Sequence, residues 1–123
     1  MIAFLFSFGI YFSNTAEAKA NIELEIKDVD YYSNKCICYG IFKNTGDSVG
    51  FIKSALLKVT LTTYPDDEFI LSFEREFDVN EYLDFTAEDS ILFWTFETDF
   101  DDIPEYYGQY NWNVDNQIWW DSL

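Results

Sequence analysis

Among the 123 residues there is no histidine. Ser-His-Asp and Cys-His nucleophile systems and histidine-ligated metal centres all require an imidazole. Those chemistries are therefore excluded together. What remains for chemistry is a large stock of carboxylates, two cysteines and many aromatic rings. Asp and Glu number 23 against 7 Lys and Arg, a net charge of −16. Two nearby carboxylates can in principle hydrolyse a glycosidic bond. With acids this dense, however, close pairs arise from composition alone, and a small domain has little room for a deep cleft. The five glycines are scattered, so no glycine-rich phosphate loop is present. The sequence points away from an enzyme.

Calcium is the next candidate, because it takes six to eight oxygens from clustered Asp, Asn and carbonyl groups. Asp99, Asp101, Asp102 and Glu105 form one cluster, and Asn113, Asp115 and Asn116 another. Neither has the spaced Asp-x-Asp-x-Asp-Gly order or the glycine its tight turn needs. Both read as solvated acidic loops, and no metal or cofactor is assigned. Cys36 and Cys38 are two residues apart, so in an extended segment they point to one face, with Cα atoms near the ~7 Å limit for bridging. They are expected to be buried thiols without a catalytic role.

Aromatic residues make up 21% of the chain. Tyr106, Tyr107, Tyr110, Trp112, Trp119 and Trp120 crowd its last eighteen positions. Alternation assigns Tyr110 and Trp112 to the core. Tyr107, Trp119 and Trp120 are left as candidate ligand- or partner-binding residues, for a sugar face or for a protein.

The elements that must position these groups are strands. Ile22, Leu24 and Ile26 alternate with Glu23, Glu25 and Lys27, and Leu57, Val59 and Leu61 with Lys58, Thr60 and Thr62. Phe69, Leu71, Phe73, Phe77 and Val79 alternate with acids and Ser72, broken only by Ile70 and Arg75. A period of two marks strands with one face on a core. This register places Val59, Leu71, Phe73 and Trp112 inside and Lys58, Glu74 and Glu76 outside. The nearly continuous apolar run Ile91–Thr98 reads as a central strand. Gly40, inside Cys36–Lys43, implies a bulge or a close backbone approach. Asn80 to Asp89 tolerates at most a turn or two of helix. Turn signals separate these segments at 44–50, 64–67, 87–90 and 101–104. The fold expected is an all-β, immunoglobulin-like antiparallel sandwich of six to seven strands over residues 21–115, followed by an aromatic tail at 116–123.

The first twenty residues differ in kind. Met1 to Phe12 carries no charged side chain, and Ala16-Glu17-Ala18 and Ala18-Lys19-Ala20 follow. A short apolar run before an A-x-A site is the pattern of a signal peptide, too short to span a bilayer, although no Lys or Arg precedes it. Residues 1–20 are read as a leader, with a mature chain beginning at Lys19 or Asn21 and an extracytoplasmic location, secreted or periplasmic. The negative charge repels phosphate backbones, so nucleic acid is not an expected partner. Membrane insertion of the mature domain is not expected either.

The segment Gly40-Ile41-Phe42-Lys43-Asn44-Thr45-Gly46-Asp47, with Lys58 to Asp66 (KVTLTTYPD), resembles the opening of FxLYD-type domains. Leu83–Trp94 and Tyr110-Asn111-Trp112-Asn113-Val114 resemble that family's closing strands. Pro65 between Tyr64 and Asp66, and Ala87-Glu88-Asp89 in place of Pro-Gly, depart from its pattern. The resemblance implies a small immunoglobulin-like or fibronectin-like sandwich with an accessory role in an exported bacterial protein. It supplies no functional residues. The function expected is a non-catalytic binding module for an unknown protein, through an acidic face or a sheet edge. A carbohydrate-binding module using the C-terminal aromatics and an acidic inhibitor or immunity-type protein are the alternatives.

Overall fold

The structure, a computed structural model, describes residues 18–32, 35–100 and 106–123. The leader expected over residues 1–20 therefore lies, up to residue 17, outside the described residues, as do Asp101, Asp102 and Glu105. Six strands are present: β1 (Ile22–Tyr32), β2 (Lys35–Asn44), β3 (Gly50–Thr63), β4 (Phe69–Leu83), β5 (Ile91–Asp99) and β6 (Tyr110–Ser122). They form two three-stranded antiparallel sheets, β1-β2-β5 and β4-β3-β6. The sheets face one another, with β1 against β6 and β5 against β4. No helix occurs among the described residues: β4 runs on to Leu83, and the amide of Asp89 closes a turn on the carbonyl of Thr86.

The core follows the expected alternation where the strands are regular. Cys36, Cys38 and Phe42 of β2 and Leu57, Val59 and Leu61 of β3 are fully buried. Phe96 meets Phe42 and Phe77 edge to face, at 6.1 and 5.1 Å between ring centroids. Lys58, Glu74 and Glu76 are exposed as expected. Leu71 and Phe73 are only half-buried against the core, because β4 is an edge strand with nothing beyond it. Trp112 corrects the expectation of a buried ring. It pairs with Leu61, whose side chain points into the core, yet stays 37% exposed, because β6 is also an edge.

Three further corrections have local causes. A register shift between Leu61 and Thr62 leaves Ile70 without a direct partner, so Ile70 is buried and Phe69 is 70% exposed. The apolar run of β5 lies at a sheet edge rather than in the centre; Phe96 and Thr98 face the core, while Ile91, Phe93, Thr95 and Glu97 point to water. Residues 116–122 are not a tail, because they continue β6 in register with Gly50–Leu57 of β3.

Gly40 marks a close approach rather than a bulge in its own strand. A Cβ there would lie 3.0 Å from Leu24 Cδ1, 3.2 Å from Ile26 Cδ1 and 3.3 Å from Phe96 Cε2. The bulge is opposite, in β1, where Lys27 is the extra residue between Ile26 and Asp28. It rotates the strand, so that Val29 and Tyr31 point inward beyond it.

The edge of β1 is tied to β6 by side chains. The Tyr110 hydroxyl donates to the carbonyl of Val29 at 2.8 Å and accepts from the amide of Tyr31 at 3.1 Å. Asn116 Nδ2 donates to the carbonyl of Leu24 at 3.1 Å. These bonds satisfy edge groups of β1 that no neighbouring strand reaches.

Residues before β1 are docked just as firmly. The turn after β2 receives them: Thr45 N donates to Asn21 O and Asp47 N to Lys19 O, both at 2.9 Å. Buried Asn44 is the hub, accepting from the amides of Asn21 and Gly46 and donating to the carbonyls of Ser48 and Leu83.

Candidate functional site

The outer face of the β1-β2-β5 sheet brings exposed apolar side chains together on one surface. On β2, Ile37, Tyr39 and Ile41 point outward, because Cys36, Cys38, Gly40 and Phe42 take the inner positions. Across the register, Ile41 is paired with Phe93 and Lys43 with Ile91. Phe93 is 74% exposed and Ile91 48%. Tyr32, at the end of β1, is 53% exposed and stands beside Lys35. The result is an apolar stripe along the middle of an antiparallel face that would ordinarily be polar.

Carboxylates border it along β1 and at one end of β5. Glu23, Glu25, Asp28 and Asp30 of β1 stand across from Lys43, Ile41, Tyr39 and Ile37 respectively. Glu97 and Asp99 of β5 stand across from Ile37 and Lys35. Lys35 Nζ lies 2.8 Å from Glu97 and 3.8 Å from Asp99, and Lys27 Nζ 3.3 Å from Glu25. Lys43 Nζ is 4.0 Å from Glu25. Six acids thus surround three lysines that are already paired, and the rim stays negative. The bond to Glu97 and the charges of Glu97 and Asp99 hold Lys35 above the usual lysine range. Tyr39 donates its hydroxyl to Asp30 at 3.0 Å, and that bond raises its phenol above the ordinary value.

The candidates expected from the C-terminal aromatics are not brought together. Trp119 and Trp120 are successive residues of β6 and face opposite ways. Trp119 is 39% exposed on the outer face, while Trp120 packs half-buried against the core. Tyr107 is 86% exposed in the loop before β6. Nine strand residues separate the start of β6 from Trp119, about 30 Å of extended chain. A ligand stacked on Trp119 is therefore out of reach of Tyr107. The Asn113, Asp115, Asn116 cluster is divided too, since Asn116 turns inward to Leu24. Among the described residues, no group of three or more His, Cys, Asp and Glu is placed to hold a metal ion.

Cys36 and Cys38 are free, buried thiols on the inner face of β2. Their mutual hydrogen bond, and then burial, push Cys36 far above the usual thiol range; Cys38 is drawn down by the same bond while burial opposes the shift. Both thiols are enclosed in the core, as suits packing rather than nucleophilic chemistry. Thr98, in register with Cys36, buries a hydroxyl that has no hydrogen-bond partner among the described residues. On the outer face of the other sheet, Leu56, Lys58, Glu74, Asp115 and Gln117 line a shallow cavity of about 160 Å³. That is smaller than the ~300–1,000 Å³ of typical small-molecule sites.

The apolar stripe was not singled out in the sequence. A signal for it was present, since Cys36–Phe42 is apolar at nearly every position and only one of a strand's two faces can point into a core. Compared with protein-family models, curated proteins and solved structures, the chain matches none.

Proposed function

We propose that this chain is an exported, non-catalytic binding module that engages a protein partner through the outer face of its β1-β2-β5 sheet. The observation that carries the reading is Phe93, 74% exposed beside Ile41 and Ile91, in a stripe bordered by carboxylates along β1 and at the Glu97–Asp99 end of β5. An apolar centre within a charged rim is the anatomy of a protein–protein interface. A complementary partner presents an apolar knob ringed by Lys or Arg, and the net charge of −16 steers such a partner inward. The edge of β1 is a poorer docking place, because Tyr110 and Asn116 already bond its backbone. A carbohydrate platform built on Tyr107, Trp119 and Trp120 has no support from their separate positions.

The strand order supports an immunoglobulin-like assignment. Lettered in that scheme, β1, β2 and β5 take the places of strands A, B and E, and β4, β3 and β6 those of C′, C and F. The FxLYD-type resemblance, the extracytoplasmic location and the leader complete the proposal.

The test is affinity capture with the wild-type chain and with Phe93→Arg from the exported fraction of the native cells, followed by binding measurements on the purified partner. The reading requires a basic partner whose affinity falls at least tenfold with Phe93→Arg and also falls with rising salt. Unchanged affinity for Phe93→Arg, with the fold intact by circular dichroism, would remove it.

A further inference from the structure

We propose that the leader is removed by hydrolysis of the Ala18–Lys19 peptide bond, and that the α-ammonium group so created is held by the carboxylate of Asp47. This rests on the export reading above and goes beyond it by choosing between two overlapping A-x-A sites and assigning Asp47 a role.

The choice comes from what each cut would remove. Cutting after Ala20 would delete Lys19 and Ala20, both built into the fold. Ala20 is buried in the core cluster, and its amide donates to Ser122 Oγ on β6 at 2.6 Å. The carbonyl of Lys19 accepts from the amide of Asp47 at 2.9 Å. A Cβ on Gly46 would lie 2.1 Å from Lys19 O and 2.8 Å from the carbonyl carbon of Ala20. The turn therefore admits only glycine there, because the chain at 19 and 20 runs directly against it. Ala18, by contrast, is exposed. Cutting after Ala18 removes none of these contacts.

That cut also improves one of them. In the uncut chain the amide nitrogen of Lys19 donates to Asp47 Oδ1 at 2.7 Å. A protease of the exporting cell adds water across the bond: Ala18 leaves as a carboxylate, and the nitrogen of Lys19 becomes an ammonium at the same position. A neutral amide–carboxylate bond becomes an ion pair with further protons to donate, the stronger kind of hydrogen bond. Asp47 is fixed for the purpose by its own amide on Lys19 O, so carboxylate and amide grip the new terminus from both sides.

Expressing the full 123-residue chain in secreting bacterial cells and measuring the intact mass of the exported product tests the cut. A product beginning at Lys19 is expected. A product beginning at Asn21 overturns this inference while leaving export standing; only the uncut Met1 form would overturn both. Asp47 is tested on chains prepared to begin at Lys19 and at Asn21. The Lys19 form should melt higher, and Asp47→Asn should lower its melting temperature by about 4–8 °C. The same substitution should have a smaller effect in the Asn21 form, which lacks the group. Equal losses in the two forms would show that Asp47 acts only through its turn, and would refute the capture of the terminus.

Discussion

Replacing Tyr110 by Phe isolates the tie between the two sheets. The ring stays, and with it the edge contact to Tyr31 at 6.3 Å between centroids, so the packing is nearly unchanged. What is lost is one hydroxyl that serves two backbone groups, the carbonyl of Val29 at 2.8 Å and the amide of Tyr31 at 3.1 Å. Each such bond has a net worth of about 0.5–1.5 kcal/mol, so the pair sums to about 1–3 kcal/mol. The site is part-buried and water can reach the freed edge of β1, which places the expectation in the lower half, at about 1–2 kcal/mol. For a domain near 100 residues that corresponds to a loss of about 4–15 °C in melting temperature. Urea unfolding is the assay: the midpoint should fall with the m-value unchanged. Hydrogen exchange supplies the local readout, with the Tyr31 amide losing protection more than amides of β2. A midpoint unmoved, with equal exchange at Tyr31 in both proteins, would show that the tie does not hold β1.

Other substitutions probe other parts of the reasoning. Gly40→Ala should destabilise by about 1 kcal/mol, since the new methyl must displace Leu24, Ile26 and Phe96 by a few tenths of an ångström; a gain in urea midpoint would mean that these side chains relax freely. Thr98→Val keeps the shape and removes a buried, unpartnered hydroxyl, so it should stabilise by about 1 kcal/mol, and a loss in the same measurement would reveal a partner for the hydroxyl. At high pH, Tyr31 and Tyr110 are held above the ordinary phenol value, in each case first by burial. Their contribution is therefore complete below the unfolded value and is lost as pH rises through the folded one. Spectrophotometric titration should show three late phenols in the wild type, Tyr31, Tyr39 and Tyr110, and only two in Tyr110→Phe. Simultaneous early ionisation of all the tyrosines in the folded protein would contradict that burial.

The strands were legible because their chemistry repeats with the pleat. Ile22-Glu23-Leu24-Glu25-Ile26 and Leu57-Lys58-Val59-Thr60-Leu61 allow a single register, and both fold in it. A face departs from the simple alternation where a strand slips, as at Phe69 and Ile70. Lys27 in β1 and the shift beside Thr62 each change the parity by one residue; Ile70 marks the second as a break in the alternation, and nothing in Lys27 announces the first. Position within a sheet was also hidden. Ile91–Thr98 is apolar enough for a central strand, and the sequence carries no mark that Phe93 faces water at an edge. The aromatics near the C-terminus suggested a platform by their number. Alternation alone should have separated Trp119 from Trp120, and only the length of β6 shows how far both lie from Tyr107. The stripe on the outer sheet face needs three strands in register, and such pairing is not written in any one segment.

The bonds that tie β1 and the residues just before it to β6 also constrain when this fold can form. Ala20 is joined to Ser122 across 102 positions, Leu24 to Asn116 across 92 and Val29 to Tyr110 across 81. None of them can close until the last strand has been synthesised, and each requires a long loop to be ordered first. Until then β1 has one pairing edge exposed, and β3 lacks one of its two neighbours. The chain is thus slow to complete by its own topology, and it stays open through most of its synthesis. A chain that stops before Tyr110 therefore lacks both the second neighbour of β3 and the ties of β1, and the fold closes only when β6 is in place.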